Sequence, residues 1–196
     1  MEIARTNKLI GNYEDFIQYS DTYCESGSCM GSSIELALKA GFKTIKSVEA
    51  KDNFYQYCKE KFKDNPNVHL YHGVSTEKWD KMLKGLEKCV LLLDAHPSGA
   101  ASFGHNDLML RGDKSEFYQD NIIKKELEII LAHRNDHVII IDDQNLDQKG
   151  NAVSYNKFIR QMLVANPKYK FYGYDEQRGT HFYKNKFLVA IPDDNV

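Results

Sequence analysis

The 196-residue sequence predicts an α/β fold built on a doubly wound, mostly parallel sheet, and three observations carry that prediction. Short apolar runs alternate along the chain with amphipathic segments of helical length, the arrangement of right-handed β-α-β crossovers. The runs VLLLD (90–94) and VIIID (138–142) lack the two-residue alternation of half-exposed strands, as expected for central strands covered on both faces. The expected strands end in Glu25, Glu49, Gly73, Asp94 and Asp142, so polar or glycine residues gather along one edge of the sheet. In sheets of this kind ligands bind beyond the carboxyl ends of the strands, where the strand order reverses.

Residues 1–19 are expected as a helical extension. TYCE (22–25) is the first strand, and a Gly/Ser turn leads from it into the helix SSIELALKAG (32–41), which closes at Gly41 as helices often do. TIKSVE (44–49) is the second strand, followed by a helix from about Asp52 that the turn residues DNPN close. VHLYHG (68–73) is the third strand, TEKWDKMLKGLE (76–87) its helix, and CVLLLDA (89–95) the fourth strand. Residues 97–114 are too rich in Gly, Ser and Asn for a strand or long helix, and are expected as a substrate or lid loop. A helix from about Ser115 to His133 precedes HVIIIDD (137–143), the fifth strand, and YNKFIRQMLVAN (155–166) is a further helix. KYKFYGY and FYKNKFLVAIP read as an antiparallel pair near the carboxyl terminus. The expectation is therefore a single domain over 1–196, a Rossmann-like sheet of seven strands ending in that antiparallel pair.

Composition removes several function classes. Lys plus Arg is 26 and Asp plus Glu is 28, a formal net charge of −2, which gives no electrostatic argument for nucleic acid or an anionic membrane. The longest apolar stretches are of strand length, too short to span a bilayer, and the amino terminus lacks the apolar core of a signal peptide. Cys24, Cys29, Cys58 and Cys89 form no CxxC pair and no zinc-type spacing, so a reduced, cytoplasmic setting is the simplest reading.

The chemistry concentrates at the strand ends. The turn after the first strand reads Glu25-Ser-Gly27-Ser28-Cys29-Met-Gly31-Ser32. Glycines there let the backbone approach a ligand, and the amino end of the following helix favours polar or negative groups. The dinucleotide fingerprint GxGxxG is poorly matched by Gly27-x-Cys29-x-x-Ser32. An acid followed by spaced glycines instead resembles the first motif of class I S-adenosylmethionine (AdoMet) methyltransferases, with Cys29 standing where that motif has its middle glycine. The resemblance implies an AdoMet site at Glu25, Gly27, Ser28, Gly31 and Ser32. Glu49, with Ala50 beyond it, ends the second strand, where a carboxylate can accept hydrogen bonds from both hydroxyls of a ribose. LYHGVS (70–75) is similar to the G-x-S stretch of many small-molecule O-methyltransferases. That similarity implies Val74 against the adenine, with Ser75 either beside it or capping the next helix.

Two further stretches narrow the subgroup. LLLDAHPSG and VIIIDDQN resemble the "LDAHxSG…IIDD" group of bacterial and viral methyltransferase-like proteins. The paired strand ends are also similar to those of metal-dependent small-molecule and sugar O-methyltransferases. The resemblance implies one divalent cation, Mg2+ or another, on Asp94, Asp142 and Asp143, with Asp94 also touching the cofactor. Three carboxylates at one point repel each other unless a cation is present, and a hard cation can orient an acceptor hydroxyl and lower its pKa. Asp94 and His96 are the expected catalytic residues, His96 because its ordinary pKa suits a base near neutrality. His96, His105 and Asp107 are the expected substrate contacts. Each has a plainer alternative: Asp142 or Asp143 capping or pairing with Lys149, and loop histidines that are merely hydrogen-bonded or exposed.

The expected function is AdoMet-dependent methyl transfer to an oxygen of a small molecule or sugar, with no nucleic-acid or membrane partner and with room for a homodimer. Nucleic-acid amine methyltransferases fit poorly, because Asp94-Ala-His96-Pro97 replaces their acid- or amide-Pro-Pro-aromatic motif and no basic stripe is present. Two alternatives remain. One is a methyltransferase-fold protein that binds AdoMet without methyl transfer or uses it in another reaction, which Cys29 keeps in view. The other is an NAD-dependent oxidoreductase.

Overall fold

The apolar runs become the centre of one eight-stranded sheet in the computed structural model, which describes residues 4–9, 13–95, 116–133, 136–142, 155–178 and 180–193. The strands are β1 (Ala4–Leu9), β2 (Thr22–Ser26), β3 (Thr44–Glu49), β4 (Val68–His72), β5 (Val90–Leu93), β6 (Val138–Ile141), β7 (Tyr169–Arg178) and β8 (His181–Pro192). The helices are α1 (Ser32–Ala40), α2 (Asp52–Lys61), α3 (Trp79–Leu83), α4 (Glu116–Ala132) and α5 (Tyr155–Ala165). Their order across the sheet is β1-β7-β8-β6-β5-β2-β3-β4. β2 to β6 run parallel, and β8 lies antiparallel between β6 and β7. The chain winds outward from β2 through β3 to β4, then returns to β5 on the other side of β2. The reversal therefore falls between β2 and β5.

Two expectations are corrected. Among the described residues of 1–19 there is no helical extension: Ala4–Leu9 pairs parallel with β7 as an edge strand, and Glu14–Phe16 is a single 3-10 turn. ARTNKL has no apolar stripe at helical spacing, while the open edge of β7 offers backbone groups that need partners. The sheet accordingly has eight strands, the expected seven plus β1. The segment expected as one helix after β4 is also divided, into a 3-10 turn (Ser75–Glu77) and the short α3, whose Trp79, Met82 and Leu83 are all buried.

The core lies in two layers, one on each face of the sheet. Leu91 and Leu93 of β5 and Ile139 and Ile141 of β6 pack with α3, α4 and α5. Val90, Leu92, Val138 and Ile140 pack on the opposite face with α1 and the 14–16 turn. Both sets are buried, so the apolar runs show no alternation in sequence although the side chains alternate in space. All four cysteines are thiols, and only Cys29 is exposed. Among the described residues no helix is long and apolar enough to cross a membrane.

Candidate cofactor site

The two-residue strand period decides which strand-end side chains meet. Glu25 follows Tyr23 on the α1 face of β2, Asp94 follows Leu92 on that face of β5, and Asp142 follows Ile140 on that face of β6. Leu93 is paired with Ile141, and the Asp142 amide donates to the Leu93 carbonyl at 3.1 Å, so Asp94 and Asp142 leave neighbouring strands at the same level. The Asp94 amide in turn donates to the Ser26 carbonyl at 3.2 Å. The structure thus brings Glu25, Asp94 and Asp142 to one side of the crevice between β2, β5 and β6.

Glu49 is held differently from the other acids. Its Oε2 accepts the Cys29 amide at 2.9 Å and its Oε1 accepts the Lys51 amide at 2.8 Å. A carboxylate oxygen has two lone-pair directions, so each oxygen keeps one for a further donor. The Gly73 amide donates to the Glu49 carbonyl at 2.9 Å, which ties the end of β4 to that of β3. Beyond Gly73, Val74 is 49 % exposed, an apolar side chain left open at the end of β4. Ala50, which follows Glu49, is also exposed.

The turn from Gly27 to Gly31 is fixed by backbone contacts. Gly27 (φ 90), Cys29 (φ 46) and Gly31 (φ 75) all adopt left-handed conformations. The Gly27 amide donates to the Val48 carbonyl at 2.9 Å, the Cys58 thiol donates to the Cys29 carbonyl at 3.3 Å, and Lys61 Nζ donates to the Met30 carbonyl at 3.0 Å. Ser28 is buried, its hydroxyl bonded to that of Ser47, while Ser32 is exposed at the start of α1.

Glu25 is fully buried beneath this turn. Tyr23 donates its hydroxyl to Oε2 at 2.8 Å and Ser47 donates to Oε1 at 2.7 Å. Burial pushes its carboxyl up to about 7; the hydroxyls of Ser33, Ser47 and Tyr23 pull it down, and Asp94 adds to the rise. Because the folded value lies above that of an unfolded glutamate, the stability this group contributes is fully present below about pH 4.5 and is lost as pH rises through about 7. Glu25→Gln, which cannot ionise, is expected to gain about 2 kcal/mol relative to the native chain between pH 5.5 and 8, read by urea unfolding at each pH. A difference that does not change with pH would mean that Glu25 ionises in the fold as easily as in water.

Sequence reading did not find three residues of this site. Tyr13 packs its ring on Tyr23 at 5.3 Å, and burial together with Glu25, Asp94 and Asp142 holds its phenol far above the ordinary range. Its φ of 48 is unusual for a bulky residue, a signal visible only in the structure. Ser47 is a small polar residue inside a strand that buries it, and Glu126 is an acid on the apolar stripe of α4, so both were detectable in principle. Ser75 is buried with its side chain beside Glu126, and no side-chain cap is formed at the turn it begins. His96, His105, Asp107, Asp143 and the 97–114 loop lie outside the described residues. Among the described residues no group of three His, Cys, Asp or Glu side chains is placed to hold a metal.

No family model matches the sequence, and no curated protein does. Solved structures share its fold. A candidate methyltransferase of Streptococcus mutans in complex with S-adenosylhomocysteine (SAH) superimposes with a TM-score of 0.59 at 13% identity, covering 96% of this chain and 99% of that one. An O-methyltransferase of Bacillus cereus in complex with SAH gives a TM-score of 0.58 at 12% identity, covering 96% and 84%. The chain has the methyltransferase fold. An rRNA methylase of Streptococcus thermophilus has the same fold, with a TM-score of 0.51 at 13% identity and coverage of 92% and 93%. The fold is thus shared by an O-methyltransferase and an rRNA methylase, and the acceptor is not read from it.

Proposed function

We propose that this chain is an AdoMet-dependent methyltransferase, acting in the cytoplasm on an oxygen of a small molecule or sugar with help from a divalent cation. The observation that carries the cofactor reading is Glu49, whose two oxygens are fixed by loop amides and each keep a lone pair for a ribose hydroxyl. Val74 supplies an apolar wall for the adenine, with Ala50 and Ser75 near it. Gly27, Ser28, Gly31 and Ser32 line the amino end of α1 along the rest of the cofactor, above Glu25. Acids at the ends of β2, β3, β5 and β6 favour a ligand with positive charge over a pyrophosphate, which supports AdoMet against NAD. AdoMet, when bound, supplies a methyl group already activated by its sulfonium.

On the acceptor side, Asp94 and Asp142 present hard oxygen donors from neighbouring strand ends, the chemistry that Mg2+ prefers, and Asp143 is the third member of the proposed set. Such a cation would lower the pKa of an acceptor hydroxyl. Asp94 orients the acceptor, His96 takes its proton, and His105 and Asp107 contact it from the 97–114 loop; these roles rest on the sequence resemblance. Titration calorimetry with AdoMet, SAH and NAD, each with and without Mg2+, tests the proposal. AdoMet and SAH are expected to bind and NAD is not; binding of NAD alone would overturn it. A Mg2+ site abolished by Asp142→Ala supports the cation, and AdoMet binding without turnover on any alcohol or sugar favours the non-transferring reading.

A further inference from the structure

Glu126 occupies the buried stripe of α4 among Ile123, Leu127 and Ile130, where an apolar residue would bury more surface at lower cost. It is 0 % exposed. The Trp79 indole donates to its Oε1 at 3.1 Å, the hydroxyls of Ser75 and Ser26 lie beside the carboxyl, and Oε2 has no hydrogen-bond partner among the described residues. Ser26 is the last residue of β2 and Ser75 follows β4, so this single carboxyl lies beside the ends of two strands on the carboxyl edge of the sheet. Ser26 also accepts the Asp94 amide on its hydroxyl at 3.3 Å, linking the buried acid to the crevice floor. A fully buried carboxyl with an unpartnered oxygen is an expensive feature unless something in the site makes use of it.

We propose that Glu126 is a counter-charge for the crevice, holding more of its proton when the site is empty or contains the neutral thioether and losing it when a sulfonium occupies the site. This rests on the AdoMet reading, because AdoMet carries a sulfonium and SAH a neutral thioether at the same atom. On AdoMet binding the Glu126 carboxylic acid loses its proton to solvent, and no covalent bond of the cofactor changes. Once the methyl group has left, the acid takes a proton back from solvent and the site loses its preference for the occupant. The device therefore separates substrate from product by charge, from a residue that need not touch either.

The electrostatic setting supports this. Burial pushes the Glu126 carboxyl up to about 7, with Ser75, Trp79 and Ser26 pulling it down and Asp94 raising it, so a nearby cation acts on a group already at its midpoint near neutrality. The groups beside it are Trp79 of α3, Ser75 of the preceding turn and Ser26 of β2, and the charge of Asp94 beyond β5 acts on it without a contact. Glu25, on the other face of β2, is the second buried carboxyl of the site that titrates near the same pH.

Calorimetry at pH 7 without added divalent cation, in buffers of different ionisation enthalpy, tests the proposal. If the cation lowers the pKa by about one unit, AdoMet binding releases about 0.4 proton, while SAH binding releases about none. Glu126→Gln, which keeps an acceptor for Trp79, is expected to remove most of that release and leave SAH affinity within about twofold. Equal proton release with AdoMet and SAH, or release unchanged in Glu126→Gln while Glu25→Gln abolishes it, overturns the assignment to Glu126. If Glu126→Gln does not fold, the native chain decides: the ratio of SAH to AdoMet dissociation constants rises about fivefold from pH 6 to pH 8, and a flat ratio overturns the proposal. Binding of neither ligand overturns the AdoMet reading and this one together, whereas binding of both with equal proton release overturns this one alone.

Discussion

Glu49→Ala is expected to weaken AdoMet binding between about 100- and 1000-fold, the largest loss for any single side chain of the site. Two hydrogen bonds from ribose hydroxyls to a carboxylate are each worth roughly 1.5–2 kcal/mol, the lower part of the range for a charged acceptor, and alanine removes both. The variant also strips the Cys29 and Lys51 amides of their acceptor, so the 27–31 turn is released at the same time. Glu49→Gln separates the two effects. The amide keeps one oxygen that can accept from a backbone N–H, so its loss is expected at about 10- to 30-fold. Isothermal titration with AdoMet reads both. If Glu49→Ala binds AdoMet as the native chain does, the ribose assignment is wrong and the carboxylate is only a clasp for the 27–31 turn.

The contrast between Glu49 and Glu126 shows how far this site can be read from sequence. Glu49 ends a strand whose apolar residues and flanking turns are plain, so its place at the crevice follows from the strand boundary alone. The same reasoning locates Glu25, Asp94 and Asp142, and the register between β5 and β6 then brings the last two together. What a strand boundary does not give is orientation relative to other elements. Glu25 reads as a residue facing the ligand, yet it is buried under the turn and bonded to Tyr23 and Ser47, because β2 is central and covered on that face by α1. Glu126 sits within IIKKELEII, where its neighbours' charges make it look like one more solvated position. Its spacing of three from Ile123 and four from Ile130 is what marks it as inward.

The amino terminus was unreadable for a different reason. An edge strand such as β1 needs no apolar pattern, since backbone hydrogen bonds to β7 hold it. Its sequence therefore carries no periodic signal, and Tyr13, which follows it and packs on Tyr23, carries none either.

Gly27→Ala is expected to destabilise the fold by about 3–4 kcal/mol and to abolish measurable AdoMet binding with it. The left-handed conformation at Gly27 (φ 90) accounts for about 1–2 kcal/mol of this, as for any L-residue placed there. The remainder comes from crowding. A Cβ on Gly27 would lie 2.7 Å from the Asp94 carbonyl oxygen and 3.1 Å from its carbon. Both are backbone atoms of a central strand end, so neither can swing aside as a side chain would. Relief requires β2 and β5 to part beyond Ser26, which breaks the bond from the Asp94 amide to the Ser26 carbonyl. Gly41 provides the control: its φ of 99 is equally left-handed, but a Cβ there meets nothing nearer than Ile17 Cδ1 at 3.9 Å. Gly41→Ala should therefore show the conformational cost alone, about 1 kcal/mol by urea unfolding. The difference between the two variants measures how tightly the cofactor turn is pressed against Asp94. Equal costs would mean that the turn and the end of β5 can separate freely, and that the crevice is not the rigid, pre-set site that binding by Glu49 and discrimination by Glu126 both require.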